Sequence, residues 1–130
     1  MVRSAIIRFS KIKEVTKTLV TGANGFIGSA LIKELVKRGL SVRGVSRNNT
    51  FSLRESSKID YVQINDINEN TDWSIALSGI TNIIHCAGIS DQSKWKGKNQ
   101  LSKYRTINVE GTKRLVEEAI KFNIKKIIFL

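Results

Sequence analysis

At 130 residues the chain has the length of one domain, and its 41% apolar and 25% charged residues are ordinary for a soluble globular fold. No apolar run approaches the ~18 residues that cross a bilayer, and a sole cysteine, Cys86, beside a sole histidine, His85, excludes an internal disulfide and a cysteine-based metal site, so a reducing, cytoplasmic setting with no metal is expected. The charge is less ordinary: 22 Lys and Arg against 11 Asp and Glu leave +11, which attracts nucleotides, phosphates, nucleic acid or acidic membranes, but the basic residues are spread along the chain and read as a solvated face, with no nucleic-acid or membrane partner expected.

Residues 1–16, MVRSAIIRFSKIKEVT, are basic with interleaved apolar side chains, and their apolar run Ala5-Ile6-Ile7 is too short for a secretory core. They read as a disordered or loosely docked N-terminal extension; a targeting segment and a start upstream of the true one are the alternatives. The domain proper is expected over 17–130. Lys17 to Thr21 is a β-rich run ending at Gly22. Ile27, Leu31, Ile32, Leu35 and Val36 then recur at helical spacing, which predicts a helix over 26–38 stopped by Gly39. Leu40 to Ser46 predicts a second strand, 47–58 a polar loop, and Ile59 to Ile64 a third strand. Asp72 to Leu77 reads as a short helix that Asp72 can cap, Thr81 to Cys86 as a fourth strand, and 88–100 as a loop. A long helix follows over 101–122, with Leu115, Val116, Ala119 and Ile120 in its later part, and Lys126 to Leu130 is a fifth strand.

Strands alternating with helical crossovers predict an α/β fold, a doubly wound parallel sheet covered on both faces. The fifth strand has the pattern of a central one, so the fold reads as truncated after it. The most informative stretch is TGANGFIG at 21–28, where Gly22, Gly25 and Gly28 fall between a strand and an amphipathic helix. Gly22 suits a tight turn, Gly25 a close approach of backbone to a ligand, and Gly28 close packing of helix on strand. The N–H groups and positive end of that helix would face a pyrophosphate. The spacing is G-x-x-G-x-x-G, against the commoner dinucleotide pattern G-x-G-x-x-G.

TLVTGANGFIGSALIKELVKRG at 18–39 resembles the opening of the extended short-chain dehydrogenase/reductase family, the NAD-dependent epimerases and dehydratases, which mostly act on nucleotide sugars. HCAG at 85–88 and YRTINVEGTKRLVEEA at 104–119 resemble two further motifs of that family, in the family's order, so the resemblance covers about 17–130. It implies a Rossmann-like fold. It also implies that Gly22, Asn24, Gly25, Phe26, Ile27 and Gly28 line the pyrophosphate turn, that Asp66 and Ile67 sit at the adenine, and that Cys86, Ala87 and Gly88 run beside the nicotinamide ribose. Asn108 would lie near the active site in a supporting role, or simply hydrogen-bond backbone; Asp66 has a turn-residue alternative. His85 is favoured as a satisfied strand-end histidine over an acid–base group.

The cofactor depends on the end of the second strand, where an acid would favour NAD. VRGVSRNN offers Arg43, Ser46 and Arg47 and no acid, and Arg47 suits a 2′-phosphate, so the balance tips to NADP over NAD. The family's chemistry is hydride transfer, served by a Tyr-x-x-x-Lys pair and a Ser or Thr after the fifth strand. Here Tyr61 and Tyr104 are followed four residues on by Asn65 and Asn108. The expectation is the dinucleotide-binding half of an NAD(P)-dependent epimerase, dehydratase or reductase, UDP-sugar 4-epimerisation being the first guess, with this chain inactive alone. The alternative is a non-catalytic NAD(P)-sensing module. The resemblance further implies a homodimer through the 101–122 helix.

Overall fold

The computed structural model describes residues 15–48, 59–89 and 99–130. Residues 1–14 of the expected extension, and most of the loops expected at 47–58 and 88–100, lie outside the described residues. Five strands, β1 (Lys17–Thr21), β2 (Ser41–Ser46), β3 (Ile59–Gln63), β4 (Asn82–His85) and β5 (Lys126–Phe129), form one sheet in the order β3-β2-β1-β4-β5. Every neighbouring pair is parallel. The chain therefore starts in the middle, winds outward to β3, and returns to the other side of β1. This is the doubly wound topology that the alternating pattern predicts, and its switch point lies between β1 and β4.

Side-chain alternation along the strands separates two cores. Val20 and Val42 face α1 (Phe26–Lys37) and pack with Ala23 and Ile32. Leu19, Val45 and Ile83 face the opposite side and pack with Trp73, Leu77, Leu115 and Ala119, from the segment around α2 (Ser74–Leu77) and from α4 (Gly111–Lys121). Trp73 is fully buried and is the largest side chain of that core. Neither face could be left in water, because the strands are apolar on both sides.

The helices depart from the sequence pattern in three ways. The short helix begins at Ser74, with Trp73 at its N-cap and no side-chain cap; the expected cap, Asp72, lies two residues before it and instead accepts both the Ser74 amide (2.9 Å) and hydroxyl (2.6 Å) through Oδ1. Those bonds hold the Asp72 carboxyl below its ordinary value. The long helix is three segments in series: α3 (Gln100–Tyr104), a π-helical stretch Arg105–Glu110, and α4, joined through helical backbone angles at Tyr104 and Gly111. A pattern of apolar spacing cannot show such a widened turn. The buried stripe of α4 is Gly111, Leu115, Glu118 and Ala119, while Ile120 is exposed. The Glu118 carboxylate is tolerated inside because Arg114 (3.2 Å) and Lys121 (2.8 Å) both reach it.

On the β2–β3 side, Asp60 ties three strands: Lys17 of β1 reaches it at 2.8 Å and Arg43 of β2 at 3.2 Å. The Arg43 fork also donates to the carbonyls of Ala76 and Ser78, which pins α2 under the sheet. Arg43 is therefore committed to the fold and does not face the end of β2.

Candidate functional site

The carboxyl ends of β1, β2 and β4 open onto a cleft of about 560 Å³ at the switch point. Its floor is the β1–α1 turn. Gly22 has φ +67°, and a Cβ there would also press on the Ala87 amide at 3.0 Å, so the turn after β4 can close on it only because the side chain is missing. A Cβ on Gly28 would collide with the Gly22 carbonyl. The close packing expected of Gly28 is thus packing of the helix on the turn itself. Gly25 is the N-cap residue of α1, extended at φ −75° and ψ 169°, and its amide bonds to the Gly22 carbonyl at 2.9 Å.

The first amide of α1 to bond backwards is that of Ser29, to the Gly25 carbonyl at 3.0 Å. The N–H groups of Phe26, Ile27 and Gly28 consequently have no acceptor in the helix. No side chain caps this end and no acid stands in the first turn. The positive end of the helix faces the cleft with donors to spare. Phe26 is 94% and Ile27 57% exposed, which sets these apolar side chains at the cleft rim and not in the core.

One wall is the turn after β4, where Cys86, Ala87, Gly88 and Ile89 line the cleft. Thr21 sits beneath it. Its Oγ1 accepts the amides of Cys86 and Ala87, both at 3.1 Å, and meets the His85 Nδ1 at 2.8 Å. The other ring nitrogen of His85 lies 3.1 Å from the Thr112 hydroxyl. His85 is buried, and burial pushes its pKa down, favouring the neutral ring. Both nitrogens are thus occupied by threonine hydroxyls, as fits the strand-end reading. Burial likewise pushes the Cys86 thiol up.

Asn108, in the π-helical stretch, does not line the cleft. Its Oδ1 accepts the Ile89 amide and its Nδ2 donates to the Ile89 carbonyl, each at 2.9 Å, so its amide clamps the chain leaving the wall. A Cβ on Gly88 would meet that Oδ1 at 3.1 Å. Widened helical turns are frequent beside functional clefts.

The opposite wall comes from the ends of β2 and β3. Asn24 reaches across from the turn and donates to the Ser46 hydroxyl (3.0 Å), which in turn donates to the Asn48 carbonyl (2.7 Å). Arg47 and Asp66 pair at 3.3 Å, with side chains 66% and 72% exposed. Ile67 is buried against Gly111 of α4. The cleft thus gathers Gly22, Asn24, Gly25, Phe26, Ile27, Gly28, Arg47, Asp66, Ile67, Cys86, Ala87 and Gly88. The residue motifs did not single out Thr21 and Thr112. Thr21 opens the glycine stretch, but its partner is set by the register of β1 on β4, which aligns Thr21 with His85.

Residues 18–130 match the profile of the NAD dependent epimerase/dehydratase family. The chain belongs to that family. A UDP-glucose 4-epimerase of Vibrio cholerae is 31% identical over 113 residues, covering 86% of this chain and 33% of that protein. A 3-beta-hydroxysteroid dehydrogenase of Mycolicibacterium neoaurum is 32% identical over 120 residues, covering 89% of this chain and 32% of its own length. Among solved structures, MoeE5 in complex with UDP-glucose and NAD superposes with a TM-score of 0.70 at 29% identity, over 87% of this chain and 35% of that one. The chain spans about a third of the length of the curated relatives it matches. Among the described residues, no helix is long and apolar enough to cross a membrane, and no group of His, Cys, Asp and Glu could hold a metal ion.

Proposed function

We propose that the cleft binds NAD or NADP and that the chain is the dinucleotide-binding part of an NAD(P)-dependent epimerase, dehydratase or reductase acting on a nucleotide sugar. The observation that carries this is the uncapped, acid-free N-terminus of α1 on the cleft floor, whose spare N–H donors suit a pyrophosphate. When bound, the dinucleotide would supply the hydride chemistry. Gly22 to Gly28 would hold the pyrophosphate by backbone donors. Asp66 would accept from the adenine amino group, with Ile67 beside it. Cys86, Ala87 and Gly88 would flank the nicotinamide ribose, and Asn108 would keep that wall in place through Ile89. Membership in a family with a UDP-glucose 4-epimerase among its relatives supports the nucleotide-sugar substrate.

Arg47 favours NADP. Among the described residues its one side-chain contact is Nη1 with Asp66, which leaves the other donors of its fork for a 2′-phosphate. Titration calorimetry with NAD⁺ and NADP⁺ tests both levels of the reading. Saturable one-to-one binding is expected, and Arg47→Ala is expected to weaken NADP⁺ about tenfold with little effect on NAD⁺. An equal loss for both would place Arg47 at the adenine and remove the NADP preference. No binding of either nucleotide would overturn the dinucleotide reading.

Tyr61 and Tyr104 lack a lysine four residues on, so this chain has no Tyr-x-x-x-Lys. It is expected to bind without turning over a UDP-sugar, and turnover is expected only where such a pair and the accompanying serine are supplied. A second reading is a non-catalytic NAD(P)-sensing module; the two separate on whether UDP-sugar turnover accompanies binding in a protein that carries these residues.

A further inference from the structure

The Thr21 hydroxyl has three neighbours and limited capacity. The amides of Cys86 and Ala87 can only donate, and both point at Oγ1. A hydroxyl has two lone pairs and one hydrogen. With both lone pairs taken, the hydrogen must go to the third neighbour, the His85 Nδ1 at 2.8 Å. That nitrogen must therefore be bare. The ring proton then sits on Nε2 and donates to the Thr112 hydroxyl at 3.1 Å.

We propose that Thr21 and His85 are a positioning couple that holds the Cys86–Ala87 wall of the cleft only while His85 is neutral, so that dinucleotide binding weakens when His85 takes up a proton. Protonation puts a hydrogen on Nδ1 and turns an acceptor into a donor. Three donors then face one hydroxyl that can accept two. One wall amide loses its partner, or the ring must leave its place. Ala87 is also the residue that closes on Gly22, so the disturbance passes to the pyrophosphate turn.

Among the described residues, none packed on the ring offers an imidazolium a counter-charge. Packed on the ring are Thr21 of β1, Thr112 of α4, and the Phe129 ring of β5, edge-on at 6.0 Å. None is charged. The adjacent titratable group is the Cys86 thiol, whose pKa is pushed up, which keeps it neutral. Burial depresses the His85 pKa from 6.5. The native state thus binds fewer protons than the unfolded one, and the contribution of His85 is present above pH 6.5 and lost as pH falls through its lowered folded value.

The cleft half of this proposal rests on the dinucleotide reading. The test is NAD⁺ affinity from pH 8 to pH 5 for the wild-type chain, T21S, T21V and H85N, with ¹⁵N NMR of the His85 ring over the same range. A bare Nδ1 and a protonated Nε2 are expected at pH 8. NAD⁺ binding should weaken about tenfold across the titration, the effect of one unpartnered wall amide. T21S should keep that slope, T21V should bind weakly at every pH, and H85N, which keeps an acceptor but cannot titrate, should flatten the slope. A proton on Nδ1 at pH 8 overturns the proposal, as does wild-type binding that stays flat while the ring signals show His85 taking up a proton. Absence of NAD⁺ binding at pH 8 overturns the functional reading and the cleft half with it, while the ring tautomer still decides the assignment of Thr21 and His85.

Discussion

The two walls of the cleft are built differently. The β1–β4 wall is held by backbone amides, a buried threonine–histidine pair and a helix that touches the glycine turn. The β2–β3 side is held at the cleft by Asn24 on the Ser46 hydroxyl and by the exposed Arg47–Asp66 pair, and farther from the cleft by the part-buried Asp60 with Lys17 and Arg43. Buried hydrogen bonds of fixed geometry resist salt and specify one arrangement, whereas exposed ion pairs are screened and rearrange easily. Under the proposed dinucleotide reading, the invariant pyrophosphate and nicotinamide ribose would lie on the rigid wall, and the variable part, the adenosine ribose with or without a phosphate, on the adaptable one.

Substitutions on the rigid wall are expected to cost the most. Gly28→Ala drives a methyl group into the Gly22 carbonyl, which belongs to the backbone and has little room to move. A loss of about 3 kcal/mol in denaturant unfolding is expected, together with loss of dinucleotide binding. A neutral result would mean that the turn is not packed against the helix. Asn108→Ala removes both partners of the Ile89 backbone and is expected to cost about 1–2 kcal/mol by the same measurement.

The ion-paired side is expected to respond less, and to respond to pH and salt. Burial pulls the Asp60 carboxyl up, but hydrogen bonds and charge from Arg43 and Lys17 outweigh it and hold the pKa below 3.8. A depressed carboxylate stabilises the fold above its unfolded value and ceases to do so as pH falls through the folded one. Urea midpoints should therefore drop below about pH 4 in the wild type, with a component of about 1 kcal/mol, reduced for partial exposure, that Asp60→Asn lacks. Asp66→Asn breaks the most exposed pair and should change stability by less than about 0.5 kcal/mol. A larger loss at Asp66 than at Asn108 would invert the comparison between the walls.

The strand–helix order and the cleft floor were legible because each rests on local rules. Strand runs, the helical repeat of Leu31, Ile32, Leu35 and Val36, and glycine between strand and helix all act within a few residues. What escaped depends on contacts distant in sequence. Thr21 and His85 are 64 residues apart and meet only through the register of β1 on β4. Arg43, named beside Arg47 at the end of the second strand, is tied to the fold because β3 brings Asp60 beside it. Glu118 took a buried place that the apolar pattern gave to Ile120, because Arg114 and Lys121 flank it on the same helix. The π-helical stretch left no trace in the spacing, although the asparagine it presents lies in one of the motifs.

The central claim is that the β1–α1 turn and the β4 exit form a dinucleotide site. Amide chemical shifts of the ¹⁵N-labelled chain, followed while NAD⁺ and NADP⁺ are added, test it most directly. The expected result is a saturable change concentrated on Gly22 to Gly28 and on Cys86 to Ile89, with smaller changes at Arg47 and Asp66. No saturable change, or changes confined to the smaller groove beside α2 lined by Asn68, Asn70 and Ile75, would contradict it.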